Sequence, residues 1–157
     1  MTYNFVLAND NGNSEHKIII NGEFYRQPNV YSILHSELGE SDEKLETLIA
    51  NLHNNIDIKI ESKAINGNYH YLVGHAAINR NQSDVYNMNV QSIKKHEEDL
   101  PIINTLGMVA ARAVQKHFKE TNALNNGETI KVVVDMTTAL PASIHDAESE
   151  KAFRSRF

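Results

Sequence analysis

The sequence predicts an α/β fold, a mixed sheet with flanking helices that carries a small α+β insertion. Three observations lead there. The first 28 residues hold three short apolar or alternating runs separated by Asn/Gly/Ser turn chemistry. Behind Leu100-Pro101, apolar side chains recur at helical spacing as far as residue 119. Finally, Thr129-Ile130-Lys131-Val132-Val133-Val134-Asp135-Met136 is a near-continuous β-branched run, of the kind buried inside a parallel or mixed sheet.

The elements follow in order. Phe5-Val6-Leu7-Ala8 is long enough for a buried strand, Asn9 to Ser14 is turn chemistry, and Lys17-Ile18-Ile19-Ile20 leaves as an antiparallel partner. Asn21-Gly22 is a strong hairpin signal before a third strand over 23–27, which Pro28 closes. Residues 29–34 run on as an extended connection. Ser41-Asp42-Glu43-Lys44 offers an N-cap with acidic early residues to a helix whose Leu45, Leu48, Ile49 and Leu52 form a core stripe. Asn54-Asn55 stops it. Ile56, Ile58 and Ile60 then alternate with charged residues as a half-buried strand. After the Asn66-Gly67 turn, Tyr69, Tyr71 and Val73 alternate with His70 and Leu72, and these two strands with the helix make the insertion. Residues 79–89 read as a polar loop, too rich in Asn for a core element.

The longest helix, 104–119, carries Ile102, Ile103, Leu106, Val109, Ala110, Ala113, Val114 and His117-Phe118 as a wide apolar stripe, with Arg112, Gln115, Lys116 and Lys119 facing out. Pro101 suits its first turn, and Glu97-Glu98-Asp99 complement the dipole at its start. Gly107 and three alanines imply close packing on a sheet. After Asn125-Asn126-Gly127 comes the β-branched strand, then Leu140-Pro141 and a loop or helix over 142–157. A three-stranded hairpin sheet, a crossing helix and a returning central strand make the half-lobe of a ribonuclease-H-like α/β architecture.

Composition narrows the function classes. At 157 residues with 41% apolar, the chain can bury one sizeable core. A net charge of −5 argues against a dedicated nucleic-acid surface, which needs clustered Lys and Arg. With no cysteine there are no disulfides, thiolate metal sites or Cys nucleophiles, and an intracellular setting fits. No apolar run reaches about 18 residues and no charged-then-apolar leader opens the chain, so neither a membrane span nor a secretory signal is expected.

The stretch from Phe5 to Ile20 carries the chemistry. An apolar strand runs into a carboxylate, Asp10, then a small polar turn, Asn11-Gly12-Asn13-Ser14, and a returning strand with Lys17. Gly12 lets the backbone approach a ligand, and consecutive turn amides can form an anion-binding nest. Asp10 suits the water shell of Mg²⁺, an ion that keeps several waters and takes few carboxylates. Lys17 reaches toward an anion held in the turn.

Asp10-x-Gly12-Asn13-Ser14-x-x-Lys17, followed by Ile18-Ile19-Ile20-Asn21-Gly22-Glu23-Phe24-Tyr25-Arg26-Gln27-Pro28-Asn29, resembles the first phosphate motif and second hairpin of bacterial actin-like ATPases, closest to the plasmid-segregation filament proteins of the ParM and Alp type. The order of later segments is compatible along the whole chain: a strand reading like Tyr69 to Ala77 with Val73-Gly74, a long helix entered at Pro101, and a strand ending before Leu140-Pro141. The resemblance implies a nucleotide lobe over 1–30 and 97–157 with a smaller inserted subdomain over 31–96. It implies ATP, or GTP, with Mg²⁺ against Asp10, Asn11, Gly12, Asn13, Ser14 and Lys17, the metal held by Asp10 through water. It also implies self-association into cytoplasmic filaments and DNA contact through an adaptor protein rather than directly. A second phosphate loop and an adenosine segment are absent from these residues, so the chain is expected to be the N-terminal lobe of a longer protein, without hydrolysis of its own.

Other constellations carry less. The eight histidines lack paired ligand spacing, and His70 and His75 are expected on opposite faces of one strand. Ser143-Ile144-His145-Asp146 juxtaposes triad residue types, yet triads converge from separated positions, and a helix start explains it better. Tyr25, Tyr31, Tyr69, Tyr71 and Tyr86 lack interleaved cations and read as core and edge residues, and Lys94-Lys95 as a solvated pair. The alternative function class is a non-enzymatic interaction module in which the turn is a degenerate phosphate loop with a structural role only.

Overall fold

The computed structural model describes residues 1–35, 39, 42–80, 84–87, 98–124, 127–139 and 147–156. Along the chain the elements are β1 (Thr2–Asn11), β2 (Glu15–Ile20), β3 (Glu23–Pro28), β4 (Val30–Ile33), α1 (Leu45–Ala50), a 3-10 turn (Leu52–Asn54), β5 (Ile56–Lys59) and β6 (His70–Val73). They continue as α2 (His75–Asn79), β7 (Val85–Asn87), α3 (Leu100–Thr121), β8 (Lys131–Thr138) and α4 (Ala147–Arg154).

Strict alternation makes β1 two-sided: Tyr3, Phe5, Leu7 and Asn9 are buried and the residues between them exposed. Strand β2 returns antiparallel with Asp10 opposite Lys17 and Leu7 opposite Ile20. The connection to β3 bends at Asn21 and Gly22, both at positive φ (50° and 85°), the backbone that a tight hairpin turn demands. Strand β8 runs parallel to β1, from Thr2 opposite Lys131 to Asn9 opposite Thr138, which closes a mixed sheet of order β3-β2-β1-β8. The expected mixed α/β sheet is therefore present, but β8 is its outermost strand among the described residues rather than a central one. Val133 and Val134 are 55% and 42% exposed, so the β-branched run reflects strand propensity more than burial.

The second sheet, of order β5-β6-β4-β7, is larger than the sequence suggests. The extended connection over 29–34 contains β4, which sits between β6 and β7, and the Asn-rich loop contains the edge strand β7. Tyr31, on β4, stacks on Tyr86 at 5.0 Å between ring centroids and meets Tyr71 edge-on at 5.6 Å. Such cross-strand aromatic pairs help hold a short strand in place between its neighbours. The run 69–77 is not one strand: β6 ends at Val73, and Gly74, at φ 60° and ψ −122°, turns the chain into α2. His70 and His75 consequently belong to different elements. Tyr71, Leu72 and Val73 are all buried, because α2 supplies Ala76 and Ala77 to one face of β6 while α3 covers the other.

Helix α3 lies between the two sheets. Its Ile102, Ile103, Met108, Val109, Ala111 and Ala113 share one core with Tyr3, Phe5, Leu7, Ile18 and Ile20 on one side and Ile56, Ile60, Tyr71 and Val73 on the other. Gly107 permits this: a Cβ there would stand 3.2 Å from Ile56 Cγ2 and 3.3 Å from Val73 Cγ2. The expected close packing is found for Gly107, Ala111 and Ala113, while Ala110 is only half-buried.

Several expectations are corrected. Gln115 is buried instead of outward, donating to the carbonyls of Ile49 (2.7 Å) and Ala50 (3.0 Å) at the end of α1. Carbonyls of a helix's last turn lack an i+4 amide donor, and a side chain such as Gln115 supplies one. Helix α1 starts after Lys44 with no side-chain cap, and Leu45 is 41% exposed rather than in the core stripe. Asp99 is the N-cap residue of α3, where its charge suits the helix dipole as expected, but it makes no side-chain cap hydrogen bond; its carboxylate accepts from the Asn66 backbone N–H (2.9 Å) and from Arg156 (2.6 Å). Ser41, Lys94-Lys95, Glu97, Asn125-Asn126, Leu140-Pro141 and Ser143-Ile144-His145-Asp146 lie outside the described residues.

Gly74 is the position where the fold tolerates a side chain least. Its dihedrals are accessible essentially to glycine alone, its N–H donates to the Val30 carbonyl (2.9 Å), and a Cβ would collide with the Gln27 amide. Gly74→Ala is expected to lower unfolding stability by at least ~2 kcal/mol, from backbone strain plus the clash. Gly39→Ala, where nothing lies within 4 Å, should stay within about 0.5 kcal/mol of the parent in urea titrations.

Candidate functional site

At the end of β1 the two sheet faces carry different chemistry. On the face away from α3, Asp10 stands opposite Lys17 and Lys17 opposite Arg26, a row of three charges across three strands. Arg26 donates to Glu15, and Lys17 lies 3.9 Å from the same carboxylate. An exposed pair at that distance contributes at most about 1 kcal/mol, so Lys17 exchanges Glu15 for another anion at small cost. Arg26 was not anticipated; its place in the row follows only from the β2–β3 register.

The turn itself is pinned from inside. Gly12 N–H donates to the Glu15 carbonyl (2.9 Å), the Gly12 carbonyl accepts from Asn29 Nδ2 (2.6 Å), and Asn29 N–H donates to the Ser14 carbonyl (3.0 Å). Asn29 is fully buried and its Oδ1 accepts from Asn104 Nδ2 (2.6 Å), on the first turn and a half of α3. Gly12 is not at positive φ; glycine is needed because a Cβ would meet the Glu15 carbonyl at 3.0 Å. The close approach it allows is to its own hairpin.

Directly beneath Asp10 and Lys17, on the buried face, a second set of polar groups joins three strands to the helix. Gln27 Nε2 donates to His16 Nδ1 (3.2 Å) and His16 Nε2–H to Asn9 Oδ1 (2.7 Å). Asn9 Nδ2 then donates to Thr105 Oγ1 (2.9 Å), which donates to the Pro101 carbonyl (2.7 Å). Each donor has one acceptor in sequence, an order that assigns His16 as the neutral Nε2–H tautomer. Burial pushes the His16 imidazole down to about 4, because the charged ring would be desolvated without a counter-ion.

The structure therefore brings Asp10, Gly12, Ser14 and Lys17 together at one sheet end, with Asp10, Asn13, Ser14 and Lys17 exposed and Asn11 half-buried. Asn9, His16, Gln27, Asn29, Asn104 and Thr105 were missed as supporting residues. Their signal was the periodicity: Asn9 continues the buried alternation of Tyr3, Phe5 and Leu7, and His16 that of Ile18 and Ile20. A polar residue on a buried face requires partners.

No protein-family model and no curated protein matches the chain. Solved structures do. The chain is similar to the actin-like protein Alp7A, with 19% identity and a TM-score of 0.64, over 100% of this chain and 38% of that one. It is also similar to Bacillus thuringiensis ParM solved with ATP (17% identity, TM-score 0.62, 94% of this chain and 36% of that one). Apo psk41 ParM matches with 16% identity and a TM-score of 0.60, over 98% of this chain and 41% of that one. The same Bacillus thuringiensis protein was also solved with AMPPNP and with ADP.

His16 makes stability depend on pH with a definite sign. The unfolded imidazole binds a proton below about 6.5 while the folded one resists until about 4, so stability is fully present above pH 6.5 and drains as pH falls. Between pH 7.5 and 4.5 the unfolding free energy should drop by roughly 2–3 kcal/mol from this group. In His16→Gln the slope between pH 6.5 and 4.5 should flatten in urea titrations; an unaltered slope would assign the effect elsewhere. The chain spans well under half the length of the structures it matches, and it carries the actin-like α/β fold of the ParM and Alp7A type.

Proposed function

We propose that this chain is the phosphate-holding part of an actin-like, nucleotide-dependent filament protein of plasmid DNA segregation, acting in the cytoplasm. One observation carries the reading. A carboxylate and a lysine, Asp10 and Lys17, face each other on one side of a turn whose backbone is fixed by Asn29, in a chain with the fold of a ParM solved with ATP. Asp10 would hold Mg²⁺ through its water shell, Lys17 the phosphates, and Asn11, Gly12, Asn13 and Ser14 the turn around them.

The residues present fit such a group. Asn11 Nδ2 and Oδ1 and the Thr138 hydroxyl are buried at the same end of the parallel β1–β8 pair without a protein partner. Buried polar atoms of that kind call for water or a polar ligand. Ligands of open α/β sheets bind outside the carboxyl ends of strands, where these atoms lie. Hydrolysis by this chain alone is not expected, since it spans only 38% and 36% of the two-lobed filament proteins it resembles. The division into a nucleotide part (1–30 and 97–157) and an insertion (31–96), assembly into filaments and recruitment of DNA through an adaptor rest on the fold likeness. The acidic net charge agrees with indirect DNA contact.

The competing module reading has one observation in its favour: the Gly12 N–H and the Gly12 and Ser14 carbonyls are satisfied within the protein. Titration of the labelled chain with ATP and Mg²⁺, followed by amide NMR, separates the two. Saturable shifts confined to residues 10–17, with an affinity on the order of millimolar (about −4 kcal/mol) and no phosphate release, are expected. Lys17→Ala should weaken binding about tenfold, and Asp10→Ala should abolish the difference between ATP with and without Mg²⁺. Absence of localised shifts, or binding indifferent to both substitutions, would leave the turn with a structural role only.

A further inference from the structure

Strand β8 leaves a sheet edge open. Among the described residues it pairs with β1 alone, and no strand joins its other side. At eight residues it is the longest of the sheet edges described: β3 has six and ends in Pro28, β5 has four and β7 three. Lys131 N–H donates to the Met1 carbonyl (2.9 Å) and Ala139 N–H to the Asn9 carbonyl (3.2 Å). Successive residues of a strand turn their backbone groups to opposite sides, so the odd positions face β1 and the N–H and C=O groups of Val132, Val134 and Met136 face the open edge. The register with β1 is unbroken over 131–138 and holds no proline, so neither a bulge nor a missing donor blunts that edge.

The side chains there are uncovered on both faces. Val133 is 55% exposed on the face away from α3, and Val134 is 42% exposed on the face toward it. Lys131 and Asp135 stand two residues to either side of Val133, on its face and exposed. Neither makes an ion pair within 4 Å among the described residues.

We infer that this edge is a homodimer interface, in which β8 pairs antiparallel with β8 of a second copy about a two-fold axis at Val133 and joins the two sheets into one. In that register Lys131 of each copy stands opposite Asp135 of the other, Val133 opposite Val133, and Val132 opposite Val134. The outward backbone groups of Val132 and Val134 then form the hydrogen-bonded pairs, and the charged residues fall at the non-hydrogen-bonded positions, where side chains come closest. A slip of two residues either way sets Val133 against Lys131 or against Asp135 and loses both ion pairs. Parallel in-register pairing sets like charge against like. Any strand satisfies the open ladder; a second copy also supplies both complementary charges, by symmetry and in a single register. The contact closes on itself, so it differs from the head-to-tail contact that a filament requires, and it does not depend on a nucleotide at Asp10 to Lys17.

Sedimentation equilibrium of the 157-residue chain should show a monomer–dimer equilibrium with a dissociation constant on the order of tens of micromolar, as suits an interface below standard size. Lys131→Asp or Asp135→Lys alone should weaken it about tenfold, and the two together should restore it to within about threefold. Both side chains are exposed, and unchanged urea midpoints would confirm that the variants fold. The chain has no cysteine, so Val133→Cys reads the axis. The Cα atoms of a non-hydrogen-bonded pair stand about 4.5 Å apart, within disulfide reach; mild oxidation should link this variant into dimers and leave Lys131→Cys unlinked. A chain that stays monomeric up to about 1 mM, a dimer indifferent to the single reversals, a double reversal that folds without recovering the dimer, or equal linking of the two cysteine variants would overturn the proposal.

Discussion

The directed hydrogen-bond series from Gln27 through His16, Asn9 and Thr105 to the Pro101 carbonyl is the constraint on which the site depends. It lies inside the core, where a polar group without a partner costs about 1–3 kcal/mol. Because each member accepts from one neighbour and donates to the next, strands β1, β2 and β3 and the start of α3 are held in one register. A one-residue slip would strand several buried donors at once. The residues on the outer face of the same strands, Asp10, Lys17 and Arg26, inherit that register without contributing to it. The series explains why His16 must stay neutral: a second ring proton would point at a donor, in a place that water does not reach.

The Asn29–Asn104 pair extends the constraint from strands to turn. Asn29 sits where the first sheet hands over to the second, and holds the Gly12 carbonyl with its side chain and the Ser14 carbonyl with its backbone. The shape of the loop is thus decided by a residue beyond the hairpin and by one on the crossing helix. Helix α3 links the two sheets by its apolar sides and the turn by its polar start, which accounts for the burial of Asn104 and Thr105 among isoleucines. Gly107 and Gly74 serve the same assembly, one by letting α3 lie close on β5 and β6, the other by letting the chain turn beside Gln27.

The exposed face of the first sheet has a contrasting character. Beyond the charged row, Val6, Ile19, Phe24 and Val133 are 62%, 41%, 60% and 55% exposed on the side away from α3. Only one face of this sheet is covered by the described elements. The parallel β8 is held by its backbone ladder to β1 and by Val132 and Met136 against the shared core, which is sufficient to position Thr138 beside Asn9.

The sequence by itself determined which stretches are strands and helices wherever periodicity was strong: the opening hairpins, the long helix after Pro101 and the β-branched strand. It also places an acid, a glycine and a lysine at the first turn, because their spacing follows directly from the residues. It did not determine β4 and β7, whose runs of three or four residues are too short to show a period and become strands only when Tyr31 finds Tyr86 and Tyr71 across the sheet. Nor did it determine that Gln115 turns inward to satisfy the end of α1, or that β8 stands at an edge. Local pattern reports which side of an element is apolar. Which polar groups meet on the buried side, and so what fixes the turn, is decided only when distant segments are brought within hydrogen-bond reach.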